Sequence, residues 1–160
     1  MAIAYGVSEF LRENHIPFEV FWHRRVDTSL RAAWETGIAA DCVVKAVVLA
    51  SAGTLFMVLI SANRMLDIGA VENYVCEKVR LADPAEFEGL FVDCEPGAVP
   101  ALGPAYGFTT LLDDSLARAE DVYFDAGDQE ELIHVKGSLF RQALGAVHIG
   151  EFAHIPRNDA

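Results

Sequence analysis

Lys45 places an ammonium group inside an otherwise apolar run, Val43-Val44-Lys45-Ala46-Val47-Val48-Leu49. Strand alternation puts it on one face with Val43, Val47 and Leu49, and a charge there is costly to bury without a partner. Two readings fit. In the plainer one, which spacing alone favours, the lysine stem packs and its head reaches water. In the sharper one, the cation lies at the floor of a cleft and meets a phosphate or a developing negative charge. A second feature is the segment 95–107, where Gly97, Gly103 and Gly107 are interleaved with Pro96, Pro100 and Pro104. Glycine lets a backbone approach a ligand closely, and proline stiffens the path and removes competing donors. Such a loop can aim N–H groups at an oxyanion or a ribose, or it can be an ordinary surface connection.

His134 alternates with Ile133 and Val135 and so looks away from the apolar face of its strand. It reads either as a hydrogen-bonded or solvent-facing histidine, or as a general base or substrate contact. His15, His23, His148 and His154 have no HExxH or comparable spacing, so neither a metal nor a cofactor is expected. Asp113-Asp114 before Ser115 suits capping. There is no GxSxG, P-loop or GxGxxG, and Cys42, Cys76 and Cys94 form no CxxC pair, which leaves them as buried or half-buried thiols.

These residues need elements to position them. Ile3, Val7, Phe10 and Leu11 predict an amphipathic helix that ends near His15 and Pro17. A strand follows over Phe18–Trp22, then a helix from Asp27 or Thr28 to Gly37 with Leu30, Ala33 and Trp34 inward. Val43–Ala50 and Thr54–Ser61, separated by Ser51-Ala52-Gly53, form a hairpin signal. Helical periodicity returns over Met65–Cys76, and Asp83-Pro84-Ala85-Glu86 is a helix start. Strands are predicted at Phe108–Leu112, Val122–Phe124 and Leu132–Lys136, and Ser138 is placed to cap a last helix that stops before Gly145. Residues after about Glu151 read as a loosely held tail. The interspersed helices and hairpins imply one α+β domain over 1–160, with a mixed, largely antiparallel, partly barrel-like sheet flanked by helices.

Hydrophobic residues make up 52% of the 160 residues and charged residues 22%, a globular composition. No apolar stretch approaches the roughly 20 residues that span a bilayer, and the N-terminal residues lack a basic leader. A cytoplasmic location without membrane association is the expectation. The net charge of −12 argues against a DNA or general nucleic-acid binder, which needs phosphate-neutralising cations. It leaves room for an enzyme that grasps one end of an RNA through a few cations, for which Arg64, Lys78 and Arg80 are candidates.

Taken together, His23, Val44-Lys45, Arg64-Met65-Leu66-Asp67, Glu95-Pro96-Gly97-Ala98-Val99-Pro100-Ala101-Leu102-Gly103, Asp113-Asp114 and Asp125-Ala126-Gly127 resemble, in order, the YbaK-type aminoacyl-tRNA deacylases. That family is related to the editing domain inserted into bacterial prolyl-tRNA synthetases. The resemblance covers about residues 18–145. It implies hydrolysis of the ester between a wrong amino acid and the terminal adenosine of a tRNA, with a synthetase as a further partner. It assigns Lys45 to the terminal phosphate or adenosine, with an electrostatic share in the reaction. The backbone at Gly97 and Ala98 would cradle the carbonyl or ribose, and His134 would be a secondary contact. His23, Val99, Pro100, Gly103, Asp113 and Arg80 fall in substrate-binding positions. Ala46 and Ala101 depart from the family pattern, which leaves amino-acid specificity open. An idle nucleotide- or acyl-binding module and a small-ester hydrolase are the alternatives.

Overall fold

The structure, a computed structural model, describes residues 3–156. In chain order the elements are α1 (Tyr5–Glu13), β1 (Glu19–Trp22), α2 (Ser29–Thr36), β2 (Val44–Ser51), β3 (Thr54–Ser61), β4 (Met65–Leu66), α3 (Ile68–Val75), β5 (Arg80–Leu81), α4 (Pro84–Phe87), β6 (Thr109–Asp113), α5 (Asp114–Ala117), β7 (Asp121–Asp125), β8 (Glu131–Lys136), α6 (Gly137–Leu144), β9 (His148–Gly150) and β10 (Ala153–His154). Among the described residues no helix is long and apolar enough to cross a membrane.

The apolar runs of β2 and β3 pair antiparallel from Val44↔Ser61 to Ser51↔Thr54. Ala52 and Gly53, both at positive φ, make the two-residue turn between them, a geometry that matches the twist of paired strands. Both faces of this hairpin are covered. Val44, Val48, Met57 and Leu59 join the main core with Leu112, Phe124, Ile133 and Phe140. Leu49, Val58 and Ile60 join a second cluster with Val71 and Phe152. Two-sided burial is why these strands read as continuous apolar runs rather than alternating ones. The main sheet runs β5-β2-β3-β6-β9, and β1-β8-β7 and β10-β4 form two smaller sheets. Among the described strands β3–β6 and β6–β9 pair parallel and the other pairs antiparallel, so the α+β, mixed and largely antiparallel expectation holds. The sheets stay open rather than closing into a barrel, and a parallel bridge, Val43↔Tyr123, links the two larger ones.

Four local expectations change. In α2 the inward positions belong to Ala32 and Ala33, and Trp34 is 70% exposed. Two small adjacent side chains let the helix lie close to its neighbours, which turns the indole outward. Met65 and Leu66 form β4 against β10 rather than a helical turn, and the helix begins only after Asp67, whose carboxylate accepts from Ala70 N–H. Ser138 does not cap α6. The helix starts at Gly137, where an added Cβ would lie 1.8 Å from the Ala119 carbonyl oxygen, so this close backbone approach requires glycine and sets the start. The C-terminal segment is also not loose as far as it is described. Phe152 is 1% exposed, β9 extends the main sheet, and residues 157–160 lie outside the described part.

Asp113 carries that last arrangement. It is fully buried, caps α5 by accepting from Ser115 N–H at 3.2 Å, and accepts from Phe152 N–H at 2.7 Å through its other oxygen. Its carboxylate holds the chain together here, away from the solvent-open surface that the resemblance assigned to it as a substrate contact. Replacing Asp113 by Ala removes a cap and a charge-assisted buried hydrogen bond, and should cost about 3 kcal/mol. A urea midpoint shifted down accordingly, with amide exchange accelerated at 148–154, is the expected result.

Candidate functional site

β2 is hydrogen-bonded to β3 along its length, but its other edge is shared. At one end Val43 bridges to Tyr123 of β7. At the other, Leu49 and Ala50 pair with β5, and Ala82 N–H donates to the Val48 carbonyl. Val43 O accepts from Ala62 N–H on the β3 side, so odd-numbered residues of β2 bond β3 and even-numbered ones point outward. Ala46 therefore directs its N–H and C=O into the gap between β7 and β5. A cleft of about 310 Å³ opens there, lined by Lys45, Ala46, Asp27, Thr28, Ser29, Pro84, Phe87, Glu88, Gly97, Val99, Asp125 and Gln129.

Lys45 is half-buried, and its Nζ donates to the Arg64 carbonyl at 3.3 Å. No carboxylate among the described residues forms an ion pair with it, and burial pushes its pKa below the usual lysine value. The N-terminus of α2 faces the same cleft, with Thr28 as its cap accepting from Arg31 N–H at 3.1 Å. The positive end of a helix reinforces a nearby cation in attracting an anion.

The glycine–proline loop borders the same cleft. Gly97, at φ +83°, turns it, and the backbone that follows alternates. Gly97 and Val99 line the cleft, and Ala98 and Pro100 are buried. Ala98 N–H is committed to the Glu95 carbonyl at 3.0 Å, whereas no described residue accepts from the N–H of Gly97 or Val99. Among the described residues the uncommitted donors of this turn are thus those of Gly97 and Val99, whereas the resemblance pointed to Gly97 and Ala98. Gly103 faces away: a Cβ there would lie 1.9 Å from Thr110 Oγ1, so it makes room for β6.

Asp125 belongs to the Asp125-Ala126-Gly127 motif of the resemblance, whereas Gln129 carried no signal in the sequence; both line the cleft. Asp125 Oδ1 accepts from the N–H groups of Gly127, Asp128 and Gln129 at 2.7, 3.2 and 3.3 Å. Burial pushes its carboxyl up, and the Gly127 and Gln129 hydrogen bonds partly offset this. The loop thus formed lets Gln129 Nε2 donate to the Pro96 carbonyl at 3.3 Å, fastening the Gly97 turn. The far wall is α4, capped by Asp83 and Glu86. Arg80 grips Glu86 with two hydrogen bonds of 2.8 and 2.7 Å, and with Asp83 N–H holds that carboxyl down at about 2. Arg80 is therefore a strut behind the wall, outside the cleft.

His134 is also elsewhere. Its Nδ1 meets Glu19 at 3.1 Å and its Nε2 meets Asp121 at 2.8 Å, and its ring stacks on Tyr123 at 4.7 Å. Cross-strand pairing of Glu19, His134 and Tyr123 puts these groups on one exposed face of β1-β8-β7, so the histidine pins three strands and is absent from the lining. His23 is 3% exposed and outside the lining as well; its N–H donates to the Glu130 carbonyl at 2.8 Å. Of the three cysteines Cys76 is exposed. Cys94 adjoins the Gly97 loop, but burial pushes its thiol up to about 12, which removes it as a thiolate nucleophile.

The cleft thus brings together an open strand edge, a lysine without a carboxylate partner among the described residues, and a glycine turn. The sequence pattern of the aminoacyl-tRNA editing domain family matches residues 23–143, and the chain belongs to that family. The fold is shared with the hypothetical protein APE2540, at 24% identity and TM-score 0.80 over 93% of this chain and 99% of that one. It is shared equally with a protein described as a candidate trans-editing enzyme for prolyl-tRNA synthetase, at 21% identity and TM-score 0.79 over 96% and 98% of the two chains. A candidate signal-transduction protein from Marinobacter aquaeolei VT8 carries the fold in 30% of its length, matching 92% of this chain at 21% identity and TM-score 0.73. No curated protein sequence matches the chain.

An unpaired half-buried ammonium costs stability at neutral pH, because the folded state favours its neutral form. Lys45→Met should raise the unfolding free energy by ~0.5–2 kcal/mol at pH 7. The gain should shrink as pH rises through the depressed folded pKa towards 10.5, as urea titrations at neutral and alkaline pH would show.

Proposed function

We propose that this editing domain is a hydrolase acting in trans, which removes a wrongly attached amino acid from the terminal adenosine of a tRNA. The single observation that carries the proposal is that one cleft is lined both by Lys45, whose ammonium has no carboxylate partner among the described residues, and by Gly97 and Val99, whose N–H groups no described residue accepts. An aminoacyl ester is already activated. A water oxygen adds to the carbonyl carbon, the carbonyl oxygen takes up the negative charge, and the bond to the ribose oxygen then breaks. The proton lost by the water ends on that ribose oxygen, releasing free amino acid and intact tRNA.

In this scheme the protein supplies position and charge stabilisation rather than a nucleophile. Lys45 and the N-terminus of α2 hold the terminal phosphate or the developing oxyanion. Gly97 and Val99 N–H groups donate to the carbonyl or the ribose. Phe87, Pro84, Val99 and Ala46 offer an apolar surface to the amino-acid side chain, and Gln129 keeps the Gly97 turn in place. A nearby cation raises the value of each donor because the cleft is partly shielded from water. Ester chemistry also agrees with the high thiol pKa of Cys94, since no covalent intermediate is required. Cytoplasmic location and a synthetase partner belong to the same proposal.

The test is a panel of mischarged tRNAs. Wild-type protein should deacylate at least one of them well above the spontaneous rate. Lys45→Ala should lose about 100- to 1,000-fold in kcat, the usual cost of one oxyanion-stabilising group. Binding with no turnover by the wild type would leave an idle binding module. The ratio of enzymatic to spontaneous hydrolysis should fall as pH rises through the lowered pKa of Lys45, since the cation is then lost.

Gly97→Ala provides an independent check on the loop. It strains a φ of +83° and brings a methyl to 3.3 Å from Gln129 Nε2. A stability loss of ~1 kcal/mol is expected, together with a fall in kcat at least as large as that of Gln129→Ala. Unchanged kcat in both variants would remove the Gly97 turn from the site.

A further inference from the structure

The chain contains two tryptophans, and both Trp22 and Trp34 are 70% exposed. Indole rings ordinarily bury most of their large surface. The stretch between them holds Arg24, Arg25 and Arg31 against a single acidic residue, Asp27, in a protein with 24 acidic and 12 basic side chains. These cations are loosely held. Arg25 reaches Glu95 at 3.4 Å and Arg31 reaches Asp27 at 3.8 Å, all four side chains being exposed by a third or more. Arg24 makes no ion pair with a described residue.

The position of this stretch is as informative as its composition. Its middle, Asp27 to Ser29, is cleft wall. The Val26 and His23 N–H groups donate to the carbonyls of Gln129 and Glu130 at 3.3 and 2.8 Å, so the segment is fastened beside the floor of the site. Arg25 extends to Glu95, two residues ahead of Gly97. Trp22 and Trp34 thus flank the cleft-lining residues in the chain, one on β1 and one near the end of α2. From Ser29 to Trp34 the helix advances about 8 Å, a length that two or three stacked nucleotides at ~3.4 Å each would cover.

We propose that Trp22 and Trp34, with Arg24, Arg25 and Arg31, form a single-strand RNA platform beside the cleft mouth. It stacks the unpaired nucleotides that precede the aminoacylated adenosine. The platform rests on the proposed deacylase function for the group carried at the RNA end. Exposed aromatic faces bind any base by stacking, and arginines take the phosphates between them. A platform of this kind also explains how a protein of net charge −12 engages RNA: it repels the duplex body and grips a short unpaired end. The contact must be local because the favourable charge is local.

Intrinsic fluorescence gives a direct test, since the two indoles are the reporters. A short single-stranded RNA ending in cytidine-cytidine-adenosine should quench the full chain's emission, and a blunt duplex of equal length should not. Trp22→Ala and Trp34→Ala should each weaken binding roughly five- to hundredfold, and Arg24→Glu should weaken it further at low salt. Three phosphate contacts predict a slope of about −2 for log affinity against log salt. In kinetics on a mischarged tRNA, the tryptophan variants should raise KM relative to that for a bare aminoacyl-adenosine, with kcat retained. Circular dichroism confirms that the variants fold.

The platform is overturned if the single strand causes no quenching, if the duplex competes equally, or if neither tryptophan variant changes binding or the KM ratio. Wild-type deacylation with unaffected tryptophan variants would sink the platform and spare the deacylase. Tryptophan-dependent RNA binding without deacylation of any tRNA would do the reverse.

Discussion

The arrangement depends on one strand edge. β2 is satisfied by β3 along one side, but on the other it is claimed by β7 at Val43 and by β5 from Val48 onward. Among the described residues, those between have no neighbour strand. Because a buried backbone without partners is costly, such a gap must be left open to solvent or to a ligand, and here it is the floor of the cleft. The other parts of the site border it: α2 begins there, and α4 and the Gly97 turn line it.

The same gap accounts for Lys45. Its neighbours Val47 and Leu49 pack in the second apolar cluster, whereas the Lys45 head reaches the Arg64 carbonyl and the cleft. No carboxylate among the described residues pairs with the ammonium, in a protein that has twice as many acidic as basic side chains. An unpaired charge in such surroundings is available to a ligand, whereas a paired one is already neutralised. The contrast with His134 is instructive. That histidine lies between Glu19 and Asp121 and serves to hold strands together.

Much of the fold was legible because its signals are local. The β2–β3 hairpin follows from two apolar runs around Ala52-Gly53, and α4 follows from Asp83-Pro84 with Glu86. Trp34 departs from the inward position that periodicity predicts, because helical spacing locates an apolar arc only to within about a residue, and Ala32 and Ala33 fill it. The C-terminal segment was misjudged for a different reason. Phe152 finds its place only through a buried carboxylate 39 positions earlier, and no local pattern announces such a partner.

The candidate site divides along the same line. By itself the sequence determined the family, the strand that carries Lys45, the glycine turn at position 97, and the lack of a recognisable nucleophile motif. These are matters of residue type and short-range order, which a linear chain displays directly. Only the tertiary structure decided that Lys45 and Gly97 share a cleft, that Val99 rather than Ala98 keeps a free donor, and that Gln129 and Asp125 belong with them. It also decided that His134, Asp113 and Arg80 do not line that cleft. The physical reason is that a free hydrogen-bonding group or an unpaired charge is defined by what surrounds it in space, and strands distant in sequence supply those surroundings.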